Sequence, residues 1–382
     1  MAAAPPPLPA WRAGAMALLT ALCGFGMAVQ VCSNNRASAH FGLPFAGGLV
    51  TFATGAALLA ALTALEHARG ASAPGSRWLG WRAAPSAANL SPGLFGCAYV
   101  VGSIVLSGVI GVNSFWLAAI LGQLCAAQAL DHFGLSAEAR KPFTPAKAVL
   151  LLVAAAGVAL SVASRLQSEA AGIAPLVGCL LASALVGAGM PVQQAFTRGA
   201  VALLPSRLAA AFYTFIVGLG AAGVAFGAQA GAEPAAAAQL GARLASSSWF
   251  MYLGGVLGVL YICSAIFFTP QIGAAAYFVS LVSGQLVGSA AVDATGLFGS
   301  PQRAIDALRV AGIATMLMAA AALAAGPDAL AARAWAACCG GGEGGGGNGG
   351  GDGGGDGDGG SKLSGRAEGV SLLEVAEKEG GM

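Results

Sequence analysis

The sequence predicts an all-α integral membrane protein of ten transmembrane helices, arranged as two five-helix repeats of inverted topology. Three observations lead to this fold class: an apolar composition, long windows without charged residues, and a pattern of windows that occurs twice. Apolar residues make up 57% of the 382 residues and charged residues only 9%, against ~25% charged in a soluble domain. So little charge suits a bilayer, where lipid tails solvate the outer face.

The windows between charged residues measure the predicted spans, because a charge at the centre of a bilayer is costly. Each half of the chain has, in order, two windows of medium length, one double window and one short window. The double windows lie between Arg82 and Asp131 (48 residues) and between Arg243 and Asp293 (49 residues). Since one span needs ~20 residues, each double window holds two helices and each half holds five. The breaks inside the double windows are predicted at Gly108, Gly111, Pro270 and Gly273.

The two halves also share residues at a nearly constant spacing, which indicates an internal duplication. At a shift of 162 residues the matches include polar and charged residues: Tyr99 with Tyr261, Gln123 with Gln285, Asp131 with Asp293, Lys141 with Arg303, and Lys147 with Arg309. A shift of 163 pairs earlier residues: Met27 with Met190, Gln30 with Gln193, Phe52 with Phe215, and Gly55 with Gly218. Because each repeat has an odd number of spans, the second must enter the membrane from the opposite side. This plan is typical of transporters whose solute site lies between the repeats, near the membrane midplane.

The repeat sets the predicted domain boundaries. Residues 1–13 form a short N-terminal segment, 14–165 the first repeat, 170–326 the second repeat and 327–382 a tail. From Gly340 onward the tail is rich in glycine, and this composition predicts a disordered chain.

Basic residues in the loops predict the orientation. Ten lie on the side of the N-terminus and five on the other side, so both termini, and with them the tail, are expected in the cytoplasm. The first apolar run is expected to be a retained helix rather than a cleaved signal. We expect the plasma membrane rather than an organelle membrane. Cys338 and Cys339 follow the last predicted span and are candidates for lipidation, the alternative being two unmodified thiols.

Composition and motifs exclude several classes of function. The net charge is +2 and no cluster of Lys and Arg is interleaved with aromatics, so no nucleic-acid partner is expected. The three histidines and eight cysteines show neither HExxH nor CxxC spacing, so the sequence predicts no metal site and no cofactor. A GxxxxGK[ST] motif is also missing, so ATP hydrolysis is not expected.

The double window of the second repeat carries a recognisable series of motifs. It begins with GG-x-x-G-x-x-Y, continues with P-x-x-G at the break and GQL in the centre, and ends with D-x-x-G-L. The first repeat shares most of the series but has Gly93 without a following glycine and no proline before Gly111. Over residues 14–326 the chain resembles the YdcZ-type branch of the drug/metabolite transporter superfamily, as two fused five-helix units. The resemblance implies a transporter of a small organic solute.

Polar side chains at membrane depth are the candidates for binding that solute. Gln123 and Gln285 lie well inside the predicted spans, and an amide both donates and accepts hydrogen bonds. The alternative for both is a hydrogen bond between helices. Six further candidates lie near predicted helix ends: Gln30, Asn34, Gln193, Gln194, Tyr99 and Tyr261. The alternative to solute binding is capping at the interface for the four amides and anchoring at the lipid headgroups for the two tyrosines.

Asp131 and Asp293 are the matched acidic pair of the two repeats. A carboxylate at a helix end can take up a proton and couple transport to a gradient. Alternatively, it caps the following loop or pairs with Lys141 or Arg303.

The leading functional hypothesis is a secondary transporter that exports a small organic metabolite or drug by alternating access. A non-transporting membrane scaffold or subunit is the main alternative. A membrane enzyme is a weaker one, because the matched polar residues include few titratable groups; we therefore expect no catalytic activity. The expected partners are membrane lipid and a small-molecule solute, and a homodimer is left open.

Overall fold

A computed structural model describes residues 9–70, 86–135, 140–166 and 173–326. Within these ranges ten helices are long and apolar enough to cross a membrane, which confirms the predicted number. The first half of the chain carries α1 (Ala10–Phe41), α2 (Pro44–Ala68), α3 (Ala87–Leu90), α4 (Pro92–Ile110), α5 (Val112–Phe133) and α6 (Pro145–Leu166). The second half carries α7 (Ile173–Leu203), α8 (Arg207–Ala232), α9 (Pro234–Ala238), α10 (Leu240–Ala245), α11 (Leu253–Ile272), α12 (Ala274–Thr295) and α13 (Ala307–Ala325). The short helices α3, α9 and α10 lie between spans.

Matched glycines divide the two double windows. Gly111 separates α4 from α5 with φ of 82°, and Gly273 separates α11 from α12 with φ of 83°. Only glycine adopts this backbone conformation readily, so the same break occurs at the same place in both repeats. Pro270 lies inside the last turn of α11, where the helix is about to end in any case.

Two helices extend further than the charge windows predict. The first, α1, continues past Arg36 to Phe41 and ends at Gly42, whose φ is 70°. The sixth span, α7, runs through Pro191 without a break and ends at Leu203. Windows between charged residues measure the hydrocarbon core of a bilayer, but a helix can continue beyond that core. Candidate site residues that were expected at the ends of these two helices therefore lie within them.

Backbones touch where the first helix of each repeat crosses the fourth helix of the other. A Cβ atom on Gly24 of α1 would overlap the carbonyl oxygen of Leu281 on α12, and one on Gly284 would overlap that of Ala21. The same contacts join α7 to α5, with Gly187 against Ala119 and Gly122 against Ala184. Every residue of the second crossing is the repeat partner of one in the first, which supports a two-fold relation between the halves.

The helices α2 and α8 meet at another symmetric contact. The rings of Phe52 and Phe215 are 5.5 Å apart between centroids. Each ring fills the space that a side chain would need at a glycine of the partner helix, Phe215 at Gly55 and Phe52 at Gly218. The repeats therefore interlock through contacts that each makes on the other.

The crossing of α5 and α7 is expected to tolerate no side chain at Gly122. Gly122→Ala places a methyl group on the backbone of Ala184 and should lower the free energy of unfolding by about 1–3 kcal/mol, the usual cost of overpacking. Gly178→Ala is the matched control, because a Cβ atom on this helical glycine of α7 would meet no described atom within 4 Å and alanine favours helix. Thermal unfolding in detergent measures both, and equal melting temperatures for the two variants would contradict the close contact.

Candidate functional site

A cavity of about 520 Å³ lies among the helix ends on the face of the protein where α1 begins. We call this the N-terminal face, and the other the far face. The cavity is lined by the last turns of α5 and α13, by the second half of α7, and by the junction of α11 and α12. Its polar and charged lining residues are Gln128, Asp131, Arg140, Lys141, Lys147, Gln194, Arg198, Thr269 and Tyr277. A smaller cavity of about 120 Å³ shares Gln194, Arg198 and Thr269 with it.

Four cations and one carboxylate line the larger cavity. Lys147 is only 7% exposed and donates from Nζ to the carbonyl oxygen of Pro142 at 3.0 Å. Asp131 accepts through its backbone carbonyl from the amide of Lys141 at 2.9 Å, which holds the loop after α5 against the end of that helix. Among the described residues, the wall of the cavity thus carries more basic than acidic side chains.

The corresponding residues of the other repeat lie at the far face, where the helices are packed. Arg303 places its guanidinium against Gly111 and donates to the carbonyl oxygen of Ile110 at 3.0 Å. Asp293 lies 3.9 Å from the guanidinium of Arg309 and accepts from the backbone amide of Asn113 at 3.4 Å. All three repeat partners of the cavity residues Asp131, Lys141 and Lys147 are therefore engaged in closing this end.

A polar contact between α5 and α12 completes the closed end. The hydroxyl of Ser289 donates to Oδ1 of Asn113 at 3.1 Å, and both residues are buried. Their repeat partners, Ala127 and Ala275, line the open cavity. The two ends therefore differ in packing even though one duplicated segment forms both.

The two central glutamines lie in the helix crossings and not in the cavity wall. Gln123 and Gln285 are both 0% exposed. Their Nε2 atoms lie 3.2 Å from the sulfur of Met190 and 3.4 Å from that of Met27, respectively. Among the described residues neither carboxamide oxygen has a hydrogen-bond partner. This location favours a role in packing, and their role in solute binding stays a prediction.

The other amide candidates divide between helix contacts and the cavity. Gln30 and Gln193 are buried, and their Nε2 atoms lie close to Gly258 and Gly96 in matching contacts. Only Gln194 reaches the cavity wall among the amides predicted from the sequence.

The hydrogen bonds of Asn34 and Gln194 tie helices to one another. Asn34 accepts at Oδ1 from the hydroxyl of Thr51 at 2.7 Å, which links α1 to α2. Gln194 donates from Nε2 to the hydroxyl of Tyr261 at 3.0 Å, which links α7 to α11. Gln194 is thus both a cavity residue and part of the helix packing.

The two matched tyrosines lie inside the protein. Tyr99 and Tyr261 are 5% and 6% exposed, which disfavours anchoring at the lipid headgroups. The repeat partner of Gln194 is Val31, which cannot hydrogen-bond, so Tyr99 lacks the contact that Tyr261 makes. Within the described ranges the Tyr99 hydroxyl has no hydrogen-bond partner.

Of the acidic candidates, Asp131 lines the cavity and Asp293 lies in the closed end. Cys338 and Cys339 fall outside the described residues, and their lipidation stays a prediction. Within the described ranges, no group of three or more His, Cys, Asp and Glu side chains is placed to hold a metal ion.

Sequence reasoning missed the basic residues and aromatics of the cavity. The pairs Lys141 with Arg303 and Lys147 with Arg309 were visible in the sequence as markers of the repeat. Because a basic residue recurs at the same position of both repeats, these pairs could have been assigned to a site. Phe278 carried no such signal, because its repeat partner Trp116 is part of the core.

Comparison with known proteins supports the repeat. The family model "Putative inner membrane exporter, YdcZ" matches residues 15–160 and again 178–322. No curated relative matches the chain. One solved crystal structure is 17% identical to the chain, with a TM-score of 0.49 over 83% of this chain and 98% of the other. That similarity is too weak to support an argument.

Replacing Gln123 and Gln285 with leucine together is expected to change the free energy of unfolding by less than about 1 kcal/mol. Replacing an incompletely bonded polar group with an apolar one of similar shape is often neutral. Thermal unfolding in detergent provides the measurement. Gln194→Leu is the matched control, because it removes a formed bond and should cost about 1 kcal/mol.

Two results would change this interpretation. A loss of 2 kcal/mol or more in the double variant would contradict the packing role, because it would reveal hydrogen bonds that the helix crossing does not show. A double variant that folds normally but loses solute flux would support the predicted solute site at these glutamines.

Proposed function

The chain belongs to the YdcZ family of the drug/metabolite transporter superfamily, and on this premise we propose that it exports a small organic solute by alternating access. The observation that carries the proposal is the difference between corresponding parts of the two repeats at opposite faces of the protein. The end formed by Asp131, Lys141 and Lys147 lines a cavity, whereas the end formed by Asp293, Arg303 and Arg309 is packed.

Exchange of conformation between the repeats would open the packed end and close the other. In the exchanged state Lys141 takes the place against α11 and α12 that Arg303 now takes against α4 and α5. The acceptor is then the carbonyl oxygen of Ile272, the repeat partner of Ile110. The position is open in the present state, since a Cβ atom on Gly273 would meet no described atom within 4 Å.

The free energy of the hydrogen bonds at the closed end is of the size that a change between two conformations requires. A hydrogen bond from a charged group contributes about 1.5–3 kcal/mol. Two conformations that interconvert in function differ by a few kcal/mol. One bond such as that from Arg303 to Ile110 therefore suffices to shift the balance between states by tenfold or more.

The predicted orientation suits export. If both termini lie in the cytoplasm, the present cavity is open to the cytoplasm and can load a solute there. The packed end then faces outward and is the exit.

The acidic pair is the candidate for coupling to a proton gradient. Asp131 lines an open cavity, where water can reach it, and Asp293 is held by Arg309 and the amide of Asn113. Exchange of the repeats exchanges these two environments. Each aspartate would therefore face water in one state and a basic partner of its own repeat in the other, and this change of surroundings is why we propose the pair for coupling.

Cysteine labelling tests the alternation in a variant without the eight native cysteines. Ala127 and Ser289 are repeat partners, one in the cavity wall and one fully buried. Ala127→Cys should react with a membrane-impermeant thiol reagent from the N-terminal face, and Ser289→Cys should be protected. Adding Arg303→Ala should raise the labelling rate of the cysteine at 289, from the far face only, by about tenfold or more.

Arg243→Ala is the matched control for Arg303→Ala. Arg243 also lies at the far face, where its guanidinium donates to the carbonyl oxygen of His40 at 3.5 Å and to Gln239 at 2.7 Å. It takes no part in the closed end, so its removal should leave the cysteine at 289 protected. Protection that persists with Arg303→Ala would argue for a static assembly, as expected of a scaffold.

A further inference from the structure

We propose that the cavity at the N-terminal face binds a small organic anion, with the charged group against Lys147 and the apolar part against the α12–α13 wall. The inference rests on the proposed function, because it names the class of solute that the transporter would carry. The basic lining of the cavity, the buried ammonium of Lys147 and the comparison with the closed end carry it.

The charge of the cavity favours an anion. Four cationic side chains line it, and Asp131 is its single carboxylate among the described residues. A concave site with charges of one sign attracts and concentrates ligands of the opposite sign.

The preference for basic residues in cytoplasmic loops does not by itself explain the basic side chains of the cavity. Basic residues are expected in cytoplasmic loops, and that expectation concerns one face only. Here the pair of basic residues occurs at both ends of the pathway, as Lys141 and Lys147 at one and as Arg303 and Arg309 at the other. A solute that passes both ends would therefore meet two matched basic residues at each end, and basic side chains attract an anion.

Lys147 is the residue that most needs a counter-ion. Its ammonium has three donors, and it makes one side-chain hydrogen bond, to the carbonyl oxygen of Pro142. Among the described residues no carboxylate lies within 4.0 Å of it. A buried charge is stable when it is paired and hydrogen-bonded, and a carboxylate or phosphate in the cavity would supply both.

The closed end shows which group of the protein would take the place of the bound anion. There the repeat partner of Lys147, Arg309, lies 3.9 Å from Asp293. Closure of the cavity would bring Asp131 toward Lys147 in the same way. The protein's own carboxylate would then take the place of the solute anion, which favours release as this end closes.

The rest of the cavity suits an apolar or aromatic body. Leu124, Phe278, Ala320, Leu323 and Ala324 contribute to its wall. A cavity of about 520 Å³ lies within the ~300–1,000 Å³ range of small-molecule sites. A molecule with one ring and one acidic group would fit both parts.

Four compounds that share one benzyl or phenyl ring test the proposal: benzoate, phenyl phosphate, benzylammonium and benzyl alcohol. Each is added to the Ala127→Cys protein in phosphatidylcholine nanodiscs, and the rate of thiol labelling is measured. We expect benzoate, phenyl phosphate or both to slow labelling by at least about fivefold at saturation, and the cation and the alcohol to leave it unchanged. Equal protection by benzylammonium, or none by either anion, would overturn the assignment.

Three substitutions locate the charged group. Lys147→Gln should raise the half-protecting concentration of the anion by about tenfold or more, and Lys147→Arg should largely restore it. Arg69→Gln removes the same charge from the same face, at the exposed end of α2 outside the cavity, and should have no effect. If Arg69→Gln weakened protection as much as Lys147→Gln, general surface potential would explain the result and the site would be refuted.

A lipid headgroup shares the chemistry of a free anion, and a second nanodisc composition separates them. If phosphatidylglycerol protects the cysteine without added compound, and Lys147→Gln abolishes the protection, the anion bound is a lipid. The labelling of the cysteine at 289 with Arg303→Ala remains an independent readout. If the labelling rate at 289 increases while no anion slows labelling of the cysteine at 127, the transporter proposal stands and the anion assignment fails. If an anion slows labelling at 127 while the rate at 289 does not increase, the protein has an anion site but does not alternate.

Discussion

The backbones of α1 and α12, and those of α5 and α7, touch at glycines where no side chain lies between them. In a bilayer the hydrophobic effect does not drive helices together, so close van der Waals contact between backbones is a main source of their association. Both contacts join one repeat to the other. The two repeats cannot separate without losing them, and neither repeat can be packed as observed by itself.

This interlocking is compatible with the proposed exchange of conformation between the halves. Central contacts such as Phe52 with Phe215 and the paired glycines are the same when the two repeats are interchanged, so they can persist in both states. The contacts at the two ends cannot, because Arg303 lies against Gly111, whereas a Cβ atom on Gly273, the repeat partner of Gly111, would meet no described atom within 4 Å. Symmetric contacts at the centre and asymmetric ones at the ends are the arrangement that a rocking motion about the centre requires.

The sequence predicted the spans, their breaks and the duplication, because each depends on local chemistry. Glycine adopts the positive φ at 111 and 273, charge is excluded from the membrane core, and the matched residues lie at a fixed spacing. It did not predict which polar residues reach the cavity. The sequence predicts both Gln123 and Gln194 as binding residues, and only the packing of neighbouring helices buries Gln123 between α5 and α7 and places Gln194 in the cavity wall. The role of Arg303 was also out of reach, since its contact with Gly111 joins the two repeats and leaves no local pattern in the sequence.

The matched triad of one aspartate and two basic residues connects packing with charge. At the closed end the aspartate lies 3.9 Å from the buried guanidinium of Arg309 and accepts a hydrogen bond from the backbone amide of Asn113, so the buried arginine there has a counter-charge. At the open end no carboxylate of the described residues lies within 4.0 Å of the buried ammonium of Lys147. Because an unpaired buried charge is costly, the proposed anion would stabilise the open end as the aspartate stabilises the closed one. The same two partners compete for one cation, and that competition links the presence of a solute to the conformation of the gate.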